Sequence, residues 1–388
     1  MAKQISPHQE LAITRAAFEK SPTALMRGRL AGLLSLADAF DETIELLSAS
    51  SDRTFWEEMI LVQACFARET SKDDEAAHSA AERALIVSQK DSERAAALAA
   101  RAKAELRLGN EAHARATLIE ALRLDPRNMD ACKRIAALEL SSGHTERLLS
   151  LADRLEAKGA AHTRLFAARA LAHARGGNLA AARQAIGFEA FHHARELRPP
   201  PGWSSIGEFN SVLAAELLSH PALRYERYGT ASELTWRIDA PATGRAPYVR
   251  LLLDQLAGAI GAHLEGIGEA DHPWVRARPQ SALLRSWCVI TEGEGYETWH
   301  VHHFGWLSGV YYVRVPDSIA NGTKRGGCLS FGLPAELAGD QGAADYGDRL
   351  VRPREGLMLA FPSHAYHRTF PHGTGEKRIC LAFDLRPL

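Results

Sequence analysis

The chain has 388 residues, with 46 Lys and Arg against 47 Asp and Glu and a formal net charge of -1 at pH 7. A balance this close gives no overall field to gather nucleic acid or anionic lipid, so neither a nucleic-acid nor a membrane partner is expected. Cys65, Cys132, Cys288, Cys328 and Cys380 are scattered and form no Cys-x-x-Cys spacing, which argues against a disulfide frame or a cysteine zinc cluster and fits a reducing compartment.

The opening segment, MAKQISPHQELAITRAAFEK, is charged and amphipathic and lacks the roughly 7–15-residue apolar core of a signal peptide. No run approaches about 18 consecutive apolar residues, and a cytoplasmic protein of roughly two to three domains is expected.

From about Leu11 to Leu197 the chain is rich in Ala, Leu, Arg and Glu and reads as helical. A period of 34 runs through it in Gly109, Gly143 and Gly177, and again in Ala102, Ala136 and Ala170. Ala80, Ala114, Leu148 and Ala182 keep the same spacing. Small residues at fixed intervals suit the turn and the close helix crossing of a helix-turn-helix repeat. The unit from Asp91 to Pro126, with its ALRLDP ending, resembles the tetratricopeptide repeat, and three to four such units are expected. The segment Leu30 to Arg68 is helical by pattern, but its register has slipped. A repeat array of this kind offers a groove to a peptide or protein, or a surface for homodimerisation.

Pro199-Pro200-Pro201-Gly202-Trp203 marks a change of grammar, giving an expected helical repeat domain over 1–198 and a second domain over 199–388. Beyond the prolines one amphipathic helix is expected over Tyr248 to Leu264, on the outside of a sheet. Strands are expected over Leu283–Thr291, Glu297–His302, Leu307–Val315, Cys328–Phe331, Gly356–Phe361, His367–Phe370 and Arg378–Leu385. Short strands separated by turn signals suggest a sandwich or jelly roll, so the whole reads as α+β multidomain.

On a strand, alternate side chains share a face, so His300 and His302 are able to meet one metal while Val301 and His303 point away. His367 would supply a third imidazole, leaving open positions for substrate and oxygen. His303, His364 and His372 are expected to be surface or hydrogen-bonding histidines. Of Tyr311 and Tyr312, one faces the barrel interior. Trp287 and Trp299 are candidates to wall the site, although aromatic residues on inner strands are more often core.

Ser286 to Ile290, Trp299-His300-Val301-His302-His303, Ser308-Gly309-Val310-Tyr311-Tyr312, Gly326 to Phe331, Phe361-Pro362-Ser363, His367 and Arg378 together resemble the 2-oxoglutarate/Fe(II)-dependent oxygenase superfamily. They look most like a bacterial group carrying His-x-His, Ser-Gly-Val-Tyr-Tyr and Phe-Pro-Ser-x-x-x-His signatures. The resemblance spans roughly Trp203 to Leu388. It implies a double-stranded β-helix, Fe(II) held by His300 and His367, and 2-oxoglutarate held by Arg378; beside these, the spacing makes His302 the expected third ligand, and Tyr311 and Ser308 are expected near the cosubstrate. Arginine suits that task because its planar fork meets a carboxylate bidentately. Cys380 stands where many relatives have serine.

The superfamily's usual second ligand is Asp or Glu, and here that position is His302. Three readings remain open: His302 ligates the metal, it faces the metal through water or binds substrate, or a carboxylate such as Glu297 intrudes.

The expected activity is hydroxylation of a peptidyl, protein-bound or amino-acid-like substrate with O2. The alternatives are a cupin-type metal dioxygenase without 2-oxoglutarate, in which Arg378 has no task, and a repeat-based interaction protein with an inactive barrel.

Overall fold

The structure is a computed structural model that describes residues 7–225 and 229–388. The first six residues of the amphipathic N-terminal segment lie outside the described residues. No helix among them is long and apolar enough to cross a membrane. The chain divides into two compact units, Met1–Ala160 and Ala161–Leu388.

The first unit is a run of helices: α1 Pro7–Lys20, α2 Ala24–Leu36, α3 Phe40–Ser48, α4 Phe55–Arg68, α5 Ser71–Val87, α6 Asp91–Arg107, α7 Glu111–Leu124, α8 Met129–Ser141 and α9 Thr145–Ala157. Local chemistry sets their starts. Thr54 and Glu57 form a reciprocal capping box on α4, while Thr70 and Asn128 cap α5 and α8. The repeating glycines set two of the turns. Gly109 and Gly143 have φ of +79° and +74°, a left-handed conformation that costs glycine nothing. Each lets the next residue close the helix end, Asn110 N–H donating to Glu105 O and His144 N–H to Glu139 O, both at 2.8 Å. Ala80, Ala102 and Ala114 are fully buried at the crossings. The earlier turns place Asp38 and Glu69 in the left-handed region. The glycine marker is therefore missing over Leu30 to Arg68, which is why the register is illegible there.

The second unit opens with a helical hairpin that continues the same period, α10 Thr163–Arg175 and α11 Leu179–Ile186. Gly177, at φ +79°, again makes the turn. This hairpin packs against the barrel of its own unit. Thr163 Oγ1 donates to Gly305 O at 2.7 Å, His364 Nε2 meets Ala185 O at 3.0 Å, and Arg175 donates to Leu337 O. After α12 (Phe188–Phe191), β1 (His193–Glu196) already pairs with the barrel sheet. Composition thus changes at Pro199, whereas the compact units part at Ala160.

There follow α13 Ile206–Leu218, β2 Arg224–Tyr225, β3 Ser232–Glu233, β4 Trp236–Ile238, α14 Pro247–Ile267, β5 Ala282–Thr291, β6 Tyr296–Glu297, β7 Leu307–Arg314, β8 Leu329–Phe331, β9 Arg349–Val351, β10 Leu357–Pro362, β11 His367–Thr369 and β12 Arg378–Pro387. The larger sheet has the order β1-β10-β7-β12-β5-β4-β2, the smaller β11-β8-β9, and β3 pairs with β6. With every pairing antiparallel, β5, β7, β10 and β12 in the larger sheet and β8, β9 and β11 in the smaller, this is the double-stranded β-helix.

One expected strand differs. Of Glu297–His302 only Glu297 lies in a strand, β6, and beyond it the segment is held by Thr298 N–H to Ala231 O, a two-bond bridge between His300 and His367, and His302 N–H to Ser363 O. The larger sheet presents Tyr311, Val313, Met358, Leu381 and Phe383 outward to α13 and α14, where Phe209, Leu213, Leu252 and Leu256 complete the core. Gly309 permits this packing, because a Cβ there would lie 2.2 Å from Phe383 Cζ and 2.4 Å from Leu359 O.

Candidate metal centre

His300, His302 and His367 offer ligand atoms that all lie within 4.8 Å of one another. Each ring is fixed by its Nδ1. His300 Nδ1 donates to Thr298 O at 2.7 Å, His367 Nδ1 to Ala365 O at 2.9 Å, and His302 Nδ1 to Asp384 Oδ1 at 2.7 Å. Carbonyl and carboxylate oxygens only accept, so every Nδ1 carries the proton and every Nε2 lone pair is left to ligate. Burial lowers the pKa of His300 and pushes that of His367 well below the usual histidine value, so both are neutral bases at neutral pH. Among the described residues these three are the one such cluster. Glu297 lies at its side, Oε2 being 3.6 Å from His300 Nε2, while Ser232 Oγ donates to its other oxygen.

The pocket beside the imidazoles is lined by Trp287, Val289, Glu297, Tyr312, Phe361, Arg378 and Cys380, among others. Arg378 is 2% exposed and sits over the Tyr312 ring, 5.3 Å from its centroid. No ion pair to it occurs among the described residues. Its Nε and the Tyr312 hydroxyl are both buried without a well-formed hydrogen bond to protein. A buried guanidinium in that state calls for an anion. Burial pushes the Tyr312 phenol up to about 12, so it remains a neutral donor.

The strand parity corrects three expectations. Tyr311 faces away from the pocket, donating from its hydroxyl to Asn210 of α13 at 2.8 Å, and Tyr312 takes the place expected for it. Ser308 and Tyr311 stand three apart, so a regular strand was never able to give both to one face. Ser308 shares the inner face but is spent on support, donating to Asp384 Oδ1 at 2.8 Å and meeting Ser363 Oγ at 2.6 Å. Trp299 lies outside the pocket lining, under the Arg368 guanidinium at 4.4 Å, whereas Trp287 lines it with its ring edge-on to His302.

The His303 ring lies tilted beside that of Phe304, and His364 and His372 hydrogen-bond at Ala185 O and Thr291 Oγ1, all outside the metal cluster. The Cys380 thiol, raised by burial, donates to Val289 O. Sequence reading missed Asp384 altogether. Its only signal is position, since it follows Cys380 and Ala382 in the alternation of β12.

Residues 285–384 match the family described as "Putative 2OG-Fe(II) oxygenase". The match lies wholly within the second unit, which is thus similar to a 2OG-Fe(II) oxygenase domain. Fe(II) and 2-oxoglutarate are the cofactors of that domain, and the residues present fit both: imidazole nitrogens suit ferrous iron, and Arg378 has no carboxylate partner among the described residues.

No curated protein matches the chain. Among solved structures, a prolyl-4-hydroxylase of Pseudomonas putida is 18% identical with a TM-score of 0.34, covering 51% of this chain and 93% of that one. HygX of Streptomyces hygroscopicus, solved with nickel and 2-oxoglutarate bound, is 14% identical at a TM-score of 0.34, covering 51% and 83%. YrrB, a TPR protein with an unusual peptide-binding site, is 16% identical at a TM-score of 0.33, covering 44% and 91%.

Proposed function

We propose that the oxygenase domain is a 2-oxoglutarate- and Fe(II)-dependent dioxygenase that hydroxylates a peptidyl or amino-acid-derived substrate. The observation that carries this reading is the pairing of three Nε2-presenting imidazoles with a buried, carboxylate-free Arg378 in one pocket. In this reading His300, His302 and His367 hold the metal from one face. Bound Fe(II) supplies oxygen chemistry at the expense of oxidative decarboxylation of 2-oxoglutarate. Arg378 grips the distal carboxylate of the cosubstrate bidentately, and the Tyr312 hydroxyl donates to it. Val289, Phe361 and Ala382 keep water from the reacting atoms. The repeat array on the same chain favours a substrate presented on a peptide or protein. The cupin reading leaves Arg378 without a role.

The test is anaerobic Fe(II) loading followed by oxygen and carboxyl-labelled 2-oxoglutarate. Iron-dependent release of labelled carbon dioxide and succinate is expected, with one oxygen atom added to a peptide of a digested lysate. Iron bound without succinate release would overturn the reading.

A further inference from the structure

We propose that Asp384 is a carboxylate of this metal site beside Glu297, set one imidazole away from the metal instead of upon it, where it orients His302 and supplies negative charge that the three-histidine ligand set lacks. The inference rests on the metal reading above.

The three rings are not equivalent in their surroundings. His300 and His367 donate to neutral backbone carbonyls, Thr298 O and Ala365 O, whereas His302 donates to the carboxylate of Asp384. The His302 and Asp384 side chains are 8% and 3% exposed, so their interaction is little screened. The carboxylate is held there by construction. Ser308 Oγ donates to the same oxygen, Ser363 backs Ser308, and a Cβ at Gly305 would fall 2.6 Å from Ser363 Oγ and 3.1 Å from Asp384 Oδ1.

On its far side Asp384 meets, among the described residues, the half-exposed Arg386, whose Nη2 lies 3.5 Å from Oδ2. A carboxylate this deeply buried is costly unless a strong positive charge faces it, and a divalent ion on His302 Nε2 provides one through the ring. Placing the carboxylate behind His302 holds the Nδ1 proton, keeps Nε2 turned into the pocket and returns to the site the unit of charge that an Asp ligand would have brought. A position that carries His302 where related sites carry a carboxylate is thereby electrically balanced.

A double-mutant cycle tests this on the full chain, with Co(II) titrated calorimetrically and its visible absorption recorded, beside thermal melting of the metal-free proteins. Asp384→Asn should weaken Co(II) binding by about 10- to 100-fold and shift the Co(II) bands. With His302→Asp already in place, adding Asp384→Asn should leave affinity unchanged or raise it, because the ligand now carries the charge and a neighbouring carboxylate repels it. A purely structural Asp384 would cost the same in both backgrounds, and that result, or no loss in the first, overturns the proposal. If Asp384→Asn alone does not fold, the comparison of the two His302→Asp proteins decides, a loss there overturning it. Failure of the wild-type chain to bind Co(II) or Fe(II) would overturn the metal reading as well.

Discussion

The main chains of His300 and His367 exchange both of their hydrogen bonds, His300 N–H to His367 O at 3.0 Å and His367 N–H to His300 O at 3.1 Å. Their rings lie 4.1 Å apart between centroids as a result. This single antiparallel bridge fixes the register of the His-x-His segment where the expected strand has already ended, so the two ligand candidates depend on each other's backbone as well as on a shared metal.

Replacement of His300 or His367 by Ala should abolish Fe(II) binding, while His303→Ala should leave it within about twofold, since surface changes are worth roughly 0.5 kcal/mol or less. Anaerobic titration with equilibrium dialysis measures this. Equal losses for all three would show that the alternation through Val301 is misplaced.

Arg378→Ala should raise the half-saturating 2-oxoglutarate concentration on the order of a hundredfold, because a charge-assisted pair in a buried site is worth a few kcal/mol. Tyr312→Phe should raise it by less, about tenfold, through loss of one hydrogen bond, and Tyr311→Phe should leave it unaltered. A Tyr311→Phe effect as large as that of Tyr312→Phe would reverse the facing assigned to them.

His364 joins the α10–α11 hairpin to the barrel as a neutral donor to Ala185 O, with its Nδ1 buried and unpartnered. Burial lowers its pKa to about 3, against about 6.5 unfolded. The unfolded chain therefore binds the extra proton first, and stability is lost as pH falls from about 6.5 towards 3, by up to about 1.4 kcal/mol per pH unit for this group. His364→Gln keeps a donor and removes the titration, so its urea midpoint should fall less steeply between pH 6.5 and 4.5. Tryptophan emission reports the transition, since every tryptophan but Trp56 lies in the second unit. Identical pH slopes for the two proteins would remove His364 from the account.

A chain beginning at Ala161 should fold and bind iron, whereas one beginning at Gly202 should aggregate or remain unfolded. The shorter piece lacks β1, leaving β10 as a bare edge, and loses the Thr163 and Ala185 contacts to the barrel. Circular dichroism and light scattering of both pieces check this, and a well-folded 202–388 would contradict it. If the 161–388 piece is monomeric and hydroxylates the same substrate as the full chain, the repeats serve association; if it only turns over 2-oxoglutarate slowly, they deliver substrate.

The sequence by itself determined the elements whose cause is local. Gly109, Gly143 and Gly177 fix turns because the left-handed conformation is cheap for glycine alone, and alternation puts His300 and His302 on one face before any fold is known. Arg378 stood out only through the resemblance to the oxygenases, which its spacing from His367 matches.

The remaining features depend on neighbours distant in the chain. Which of Tyr311 and Tyr312 faces inward is set by α13, whose Asn210 receives the Tyr311 hydroxyl. The membership of α10 and α11 in the barrel unit is settled by Gly305 and His364, far along the chain from the hairpin they touch. Asp384 carries no motif, and it stands behind His302 only because β12 pairs with β7 in a register that sets it opposite Ser308. Pattern in sequence records the face a residue presents; the partner it meets there is decided by strand pairing, which joins residues whose spacing along the chain carries no period.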